Sequence, residues 1–323
     1  MILTYVSALV AAYFGAHLAE RLAEATGFVA KPNPLVTQHV RPVAYLGGLA
    51  VLAGLACGMA IAGRPLPAGY LVAGIALFTL LGVVDDARPF QPGAKFMLQS
   101  AIATVTVVMG LRADLTGIPL VDDALVVVLA VTLVNAVNFT DVCDGLVASL
   151  GIVTLGAAVF VLHPANTSIC LAGSGACAGF LLRNRPPARI FLGDAGSHLL
   201  GFLMAAVWVD AIASGGAHNI IRGTLVYGVF LFELLFITAV RIWKGLPWWR
   251  GSPDHFSLRL QVAGWSRGSL DTVAALSTVG LSFIGWAESK IGAVSALLCA
   301  LACGAFASAY LLRFDVGGKG PGK

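Results

Sequence analysis

The chain alternates long apolar segments with short polar connections from one end to the other. Cutting it at charges and at Gly/Pro clusters leaves eleven apolar segments, at approximately residues 1–19, 46–62, 69–84, 96–111, 124–137, 146–162, 169–182, 198–213, 223–242, 270–287 and 291–312. A membrane-spanning helix needs about 20 mostly apolar residues. The pattern therefore predicts an all-α polytopic integral membrane helical bundle with about 11 transmembrane helices, with 10 as the alternative count. No soluble domain remains between the segments, so we predict a single membrane-embedded domain over residues 1–323.

The composition excludes an ordinary soluble enzyme. Apolar residues make up 58% of the 323 residues, only 11% are charged, and the mean hydropathy is +0.89. A soluble domain carries about 25% charged residues, so this chain has too little polar surface to cover a soluble globule. Intrinsic disorder is excluded by the same hydrophobicity. We expect a lipid bilayer around the protein and no nucleic-acid partner.

Positive charges are distributed unequally between alternate connections. Sixteen Lys and Arg residues fall on one side and four on the other. By the positive-inside rule the richer side is cytoplasmic, which predicts an N-terminus outside and a C-terminus in the cytoplasm. The dense polar clusters all fall on that side, in connections at about 20–45, 85–95, 138–145, 183–197 and 243–269. Carboxylates grouped at one membrane face indicate one site there.

Two adjacent carboxylates, Asp85 and Asp86, end an apolar helix, and Lys95 follows shortly after. Two neighbouring carboxylates repel each other unless a cation lies close. Mg²⁺ takes one or two carboxylates together with substrate phosphates, so this pair is a candidate metal site. A solvated helix end is the alternative explanation.

A second polar group recurs at three-residue spacing: Asn135, Asn138, Asp141 and Asp144. Residues three apart on a helix share a face, so the spacing predicts one polar row at the membrane surface. An N-cap of the following helix is the alternative, but a cap explains one polar residue and not four.

Three further positions carry candidate chemistry. Asp194 lies between two glycines before an apolar segment, where a helix start could offer N–H groups to an anion; an Asp-Gly turn is the alternative. His255, near Arg259, could bind phosphate or move a proton, or it could be an interfacial histidine beside Trp248 and Trp249. The acid Glu233 lies inside the ninth apolar segment, and both a functional acid and a structural acid paired between helices remain open.

Together and in this order, the polar blocks resemble the polyprenyl-phosphate N-acetylhexosamine-1-phosphate transferase superfamily, glycosyltransferase family 4. Its members include the MraY-type phospho-MurNAc-pentapeptide transferases and the WecA-type UDP-GlcNAc:undecaprenyl-phosphate GlcNAc-1-phosphate transferases. The resemblance covers about residues 31–267 and rests on HVRPVAYLGGLA, GVVDDARPFQPGAKFMLQ, NAVNFTDVCDGLVASLG and NRPPARIFLGDAGSHLLG. The short connection after Asp86 and the N-x-P-P-A-type sequence favour the WecA-like branch.

The resemblance implies an Mg²⁺-dependent enzyme, with Mn²⁺ as a substitute, in the bacterial inner membrane with its active site facing the cytoplasm. It would transfer N-acetylhexosamine 1-phosphate from UDP-N-acetylhexosamine, in first place UDP-GlcNAc, to undecaprenyl phosphate, and it would form a homodimer. The implied catalytic residues are Asp85, Asp86, Asp194, Lys95 and His255, and the three aspartates are also the implied metal ligands. The implied substrate-binding residues are Asn138, Asp141, Asp144, Asn184, His39, Arg41 and Arg259.

The chain departs from the family pattern in two places. The last cytoplasmic loop of the family usually carries two or three histidines, and here only His255 is present. Cys143 replaces an apolar residue between the two acids of the third block. The alternative class is an ion- or proton-coupled transporter, but transporters place such groups near the bilayer midplane and show repeats, and here the acids end the helices.

Overall fold

The computed structural model describes residues 1–30, 42–63, 68–165 and 167–316, which form an all-α bundle. The first helices are α1 (Ile2–Thr26), α2 (Gly47–Ile61), α3 (Gly69–Ala87), α4 (Pro92–Val108), α5 (Pro119–Thr140), α6 (Leu146–Val161) and α7 (Thr167–Asn184). They are followed by α8 (Gly193–Gly215), α9 (Ala217–Val226), α10 (Gly228–Trp243), α11 (Phe256–Val262), α12 (Arg267–Ile291) and α13 (Ala293–Leu311). Two short strands, β1 (Val29–Ala30) and β2 (Val43–Ala44), pair antiparallel.

The structure confirms the prediction of an all-α, multi-pass membrane protein. In the described part of the chain, six helices are long and apolar enough to cross a bilayer: α1, α3, α5, α8, α12 and α13. The pair α9 and α10 adds a seventh if it is counted as one span, and it is bent by 73°. Each of the eleven predicted apolar segments overlaps a helix, but the count of eleven spans and the orientation of the termini stay predictions.

One helix forms the centre of the bundle. Almost the whole of α8 is buried, and it packs against α2, α3, α5 and α9. The outer helices instead expose large apolar side chains such as Phe14, Phe160 and Phe283. An apolar surface of this extent is expected where lipid, and not water, surrounds the protein.

Small residues allow two helices to approach the first turn of α8 closely. A Cβ atom on Gly48 of α2 would lie 2.3 Å from the backbone nitrogen of Gly196, and one on Gly82 of α3 would lie 2.4 Å from backbone atoms of Ala195. Any larger side chain would push these helices apart. The approach of α3 is what places Asp85, one turn further along α3, beside the start of α8.

We predict that Gly82→Ala destabilises the protein, because its methyl group would overlap the backbone of α8. Overpacking of this kind costs about 1–3 kcal/mol. Gly280→Ala in α12 is the matched control, because no atom lies within 4 Å of a Cβ at that position. Thermal unfolding in detergent should show a lower Tm for Gly82→Ala and an unchanged or higher Tm for the control. Equal Tm values would show that α3 and α8 are not in this close contact.

Candidate active site

A lysine ammonium group joins two carboxylates at one end of the bundle. The Nζ atom of Lys95 lies 2.7 Å from Oδ2 of Asp85 and 2.5 Å from Oδ2 of Asp194. The chain turns sharply after α3 and restarts with Pro92 at the first position of α4, where proline is favoured. Lys95 therefore lies in the first turn of α4 and faces the end of α3. The second oxygen of Asp85 accepts a hydrogen bond from the backbone of Phe90 at 2.6 Å.

Asp86 caps the start of α8. Its Oδ1 accepts from the backbone N–H of Asp194 at 2.8 Å, and its Oδ2 accepts from that of Ala195 at 3.1 Å. A carboxylate at this position satisfies free helix N–H groups and interacts favourably with the helix dipole. The sequence predicted that these N–H groups are open to an anionic ligand, and that is wrong, because Asp86 occupies them. Both oxygens of Asp85 and of Asp194 are engaged as well, so the role of Asp86 as a metal ligand stays a prediction.

The end of α5 completes the cluster. Asn138 donates from Nδ2 to Oδ1 of Asp194 at 2.6 Å and to Oγ of Ser197 at 3.0 Å. The predicted helical row of four polar residues is only partly correct, because α5 ends at Thr140. Asp141 has non-helical backbone angles and Asp144 lies in the turn that follows. The three-residue spacing alone did not reveal where the helix stops.

Asp141 adds a fourth carboxyl group to this cluster. Burial raises the pKa of Asp141 well above its usual value, and the neighbouring charges of Asp194, Asp86 and Asp144 raise it further. The clustered carboxylates thus outnumber the one ammonium group, Lys95, that bridges them. An excess of negative charge in a poorly solvated place favours binding of a cation.

Beneath this cluster lies a second polar layer, of which the sequence singled out Asn135 but gave no role to Gln99 or His198. Asn135 donates from Nδ2 to Oε1 of Gln99 at 2.7 Å, and Nε2 of Gln99 lies 3.3 Å from Nε2 of His198. Gln99 and His198 are fully buried. Gln99 follows Lys95 by four residues and His198 follows Asp194 by four, so helical periodicity could have found both. This layer ties α4, α5 and α8 together directly below the reactive groups.

Asp144 and Asn184 hold two loops together. The Asn184 side chain accepts from the backbone N–H of Gly145 at 2.9 Å and donates to the carbonyl of Ile190 at 2.8 Å. Asp144 accepts from Nη1 of Arg267 at 2.5 Å and from the backbone of Ala188 at 3.1 Å, through the same oxygen, Oδ2. Asp144 thus retains one oxygen outside these two bonds, whereas both polar atoms of the Asn184 amide are engaged by backbone. Sequence reasoning gave Arg267 no part in this site.

The connection between α10 and α11 carries His255, whose ring contacts a buried acid. Nδ1 of His255 lies 2.6 Å from Oε1 of Glu233, and the backbone N–H of Phe256 donates to Oε2 of the same acid at 3.2 Å. The sequence left open whether Glu233 is a functional or a structural acid. The structure shows that Glu233 of α10 is buried and paired with His255. Arg241 of α10 links this loop to the end of α5. Its guanidinium donates to the carbonyl of Trp248 in the loop and lies 5.1 Å from the ring centre of Phe139.

Arg259 of α11 is buried and bonded within the protein. Its Nε and Nη2 atoms donate to the backbone oxygen and Oδ1 of Asp254 at 3.2 and 2.6 Å, and its Nη1 donates to the carbonyl of Phe314 at 2.6 Å. The side chain is only 2% exposed. These bonds hold the guanidinium against Asp254 and Phe314, and the expected role of Arg259 in substrate binding stays a prediction.

Two of the sequence-predicted positions, His39 and Arg41, lie outside the described residues. The strand that follows them, β2, lies beside the start of α8: the backbone of Phe191 donates to the carbonyl of Ala44 at 2.8 Å. Residues 43–44 therefore lie next to the start of α8.

The donor set fits a divalent cation bound together with substrate. In the described ranges, no three or more His, Cys, Asp or Glu side chains are grouped as a metal site made of protein ligands alone. Mg²⁺ usually takes one or two carboxylates and completes its shell with phosphates and water. Asp85 and Asp194 meet this requirement, because one oxygen of each already approaches the same cationic group, the ammonium of Lys95.

Comparison with known proteins gives a consistent result. The family model described as glycosyl transferase family 4 matches residues 68–212. The chain is 34% identical over 271 residues to a decaprenyl-phosphate N-acetylglucosaminephosphotransferase of Mycobacterium leprae, covering 72% of this chain and 66% of the relative. It is 31% identical over 312 residues to a phospho-N-acetylmuramoyl-pentapeptide-transferase of Picosynechococcus sp., covering 85% of this chain and 83% of the relative. A Mycobacterium tuberculosis relative has the same name as the M. leprae protein, and the chain spans 59% of its length. The chain thus spans less than two thirds of the length of these two mycobacterial relatives.

We predict that Asp86→Asn lowers stability even without metal, because the amide group can accept only one of the two helix N–H bonds. Loss of a helix cap costs about 0.5–2 kcal/mol. Thermal unfolding in EDTA should therefore show a lower Tm for Asp86→Asn than for the control Asp123→Asn, whose carboxylate pairs with an exposed arginine. If Asp86 served only as a metal ligand, neutralising it would relieve repulsion, and the Tm in EDTA would stay the same or rise.

Proposed function

The chain belongs to glycosyl transferase family 4, the polyprenyl-phosphate N-acetylhexosamine-1-phosphate transferase superfamily, and on this premise we propose the reaction that it catalyses. It transfers N-acetylhexosamine 1-phosphate from a UDP-sugar to undecaprenyl phosphate, giving undecaprenyl-diphosphate-sugar and releasing UMP. This reaction would be the first membrane step of a cell-envelope glycan.

The convergence of Asp85, Lys95, Asn138 and Asp194 from four helices carries this proposal. One substrate is a soluble diphosphate and the other is a lipid whose phosphate stays at the membrane face. The two can meet only where helix ends reach that face. Both substrates are anionic, so the site must supply positive charge and hold the reacting groups in line.

We propose that Asp194 and Asp85 hold Mg²⁺, for which Mn²⁺ can substitute. The bound ion would screen the charge of the donor diphosphate and stabilise the leaving UMP. Asp86, whose two oxygens cap α8, would act by fixing the position of Asp194. Asn138, which already donates to Asp194, would fix the orientation of that carboxylate.

The remaining side chains would bind and orient the substrates. Lys95 and His255 would neutralise phosphate charge, and Asp141 would line the same cleft. Asp144 would contact the donor nucleoside through Oδ1, the oxygen that does not bind Arg267. Asn184, which accepts from the backbone of Gly145, would hold the turn that carries Asp144 in place.

The donor that we propose is UDP-GlcNAc. The short connection after Asp86 and the N-x-P-P-A-type sequence support this choice, although the relatives include both an N-acetylglucosamine transferase and a phospho-N-acetylmuramoyl-pentapeptide transferase. We place the protein in the bacterial inner membrane as a homodimer with about 11 spans, an outer N-terminus and a cytoplasmic active site. The unequal distribution of Lys and Arg supports this orientation. The transporter alternative has no support, because the relatives named above are transferases.

An activity assay on the purified full chain tests the reaction. We expect UMP release that needs Mg²⁺ and undecaprenyl phosphate together, and that is fastest with UDP-GlcNAc in a panel with UDP-GalNAc, UDP-MurNAc-pentapeptide and UDP-bacillosamine-type sugars. Preference for another sugar would overturn the donor assignment alone. Absence of UMP release with every donor, or a flux driven by a proton gradient, would overturn the reaction.

We predict a loss of activity in Asp85→Asn that does not depend on pH. A phosphate monoester loses its second proton near pKa 6, so at neutral pH the acceptor phosphate is largely a dianion and needs no base. Removing a true general base typically costs about 10²–10⁴-fold, and that loss would recover as the pH rises above 7. The measurement is kcat from pH 6 to 9 for Asp85→Asn and wild type. Full recovery at high pH would assign proton abstraction to Asp85.

A further inference from the structure

We propose that Glu233 is a positioning residue that fixes the tautomer and the direction of His255, so that only Nε2 of that histidine can act on substrate phosphate. This inference rests on the proposed transfer reaction. It concerns a side chain within α10 that belongs to none of the four polar blocks of the sequence.

The geometry of the pair leaves little freedom. Glu233 is fully buried, and its two oxygens are divided between Nδ1 of His255 at 2.6 Å and the backbone N–H of Phe256 at 3.2 Å. An ionised carboxylate can only accept hydrogen bonds. With an ionised Glu233, the proton of a neutral His255 ring must therefore lie on Nδ1, and the bond from Phe256 holds the second oxygen of the acid.

The other ring nitrogen is left for chemistry. The side chain of His255 remains 10% exposed, and its Nε2 has no hydrogen-bond partner among the described residues. With Nδ1 held by Glu233, Nε2 accepts a proton when the ring is neutral and donates one when the ring is charged. The charged state, in which Nε2 donates, suits a group that contacts a phosphate oxygen.

The chain on either side of His255 lies beside the end of α5 that carries Asn138. Arg241, two turns after Glu233 on α10, donates to Oγ of Ser252 at 3.1 Å and stacks over the ring of Phe139. On the far side of the histidine, Gln261 of α11 lies 3.7 Å from the sulfur of Cys143. The loop that bears His255 is thus attached to the 138–144 segment from both sides.

Glu233→Gln is the sharpest test, because it keeps size and shape. The amide has one oxygen. If that oxygen keeps the bond from Phe256, the amide nitrogen faces Nδ1 and must donate to it, which moves the ring proton to Nε2. We expect kcat to fall about 10- to 100-fold, the size of effect seen when an outer partner of a functional histidine is lost, with little change in KM for the UDP-sugar.

The chain supplies a matched control. Glu288 is also a buried acid bonded to a histidine, with Oε1 3.0 Å from Nδ1 of His218. It lies near the far end of α12, about 30 Å from Arg267 at the helix start. Glu288→Gln should leave kcat unchanged, and comparable Tm values for the two variants would show that the loss in Glu233→Gln is not simply unfolding.

Two further measurements separate positioning from stability. In a double-mutant cycle, Glu233→Gln with His255→Gln should be no slower than His255→Gln alone, because Glu233 acts through the histidine. Nitrogen NMR of histidine-labelled protein, with His255→Gln to assign the signal, should show the proton on Nδ1 in wild type and its loss from Nδ1 in Glu233→Gln.

Multiplicative losses in the double variant, or an unchanged His255 signal in Glu233→Gln, would overturn the inference. Failure of the wild type to release UMP would instead reject the proposed reaction, while the NMR comparison would still decide whether Glu233 sets the tautomer, because that measurement requires no turnover.

Discussion

The ammonium group of Lys95 between the carboxylates of Asp85 and Asp194 is the contact on which the site depends. Carboxylates at the end of an apolar bundle are poorly solvated, and each unpaired charge there is costly. Three partners stabilise these carboxylates. Lys95 pairs with Asp85 and Asp194, backbone N–H groups at the start of α8 donate to Asp86, and Asn138 donates to Asp194. The charge that remains unbalanced is negative, and that is the condition under which a cation and its phosphate ligands bind favourably.

This arrangement requires helices to approach each other more closely than ordinary side chains allow. Gly48 and Gly82 bring α2 and α3 onto the first turn of α8. Below the charged cluster, the layer formed by Gln99, Asn135 and His198 joins α4, α5 and α8 through side-chain contacts. A site carried by rigid, mutually bonded helices holds its groups more accurately than one carried by loops. Close packing and polar bonding therefore act together, the first by permitting contact and the second by fixing direction.

The sequence predicted those features of the fold that depend on residues close together in the chain. Apolar segment lengths predicted the helices, and four-residue spacing would also have revealed Gln99 and His198. Spacing could not reveal partners far apart in the chain, and Lys95 and Asp194 are 99 residues apart. For the same reason the sequence could not show that Asp86 pairs with the start of α8, or that Arg259 contacts Asp254 and the carbonyl of Phe314.

The positive charges of the last polar connection show how one sequence feature can have two physical causes. Arg241, Lys244 and Arg259 all belong to the side that the charge count predicts to be cytoplasmic. Yet Arg259 and Lys244 pair with Asp254, and Arg241 holds the loop backbone at Trp248. Without these three the count is still 13 against 4, so the predicted orientation does not depend on them. Their own positions follow instead from the contacts that anchor the loop that carries His255.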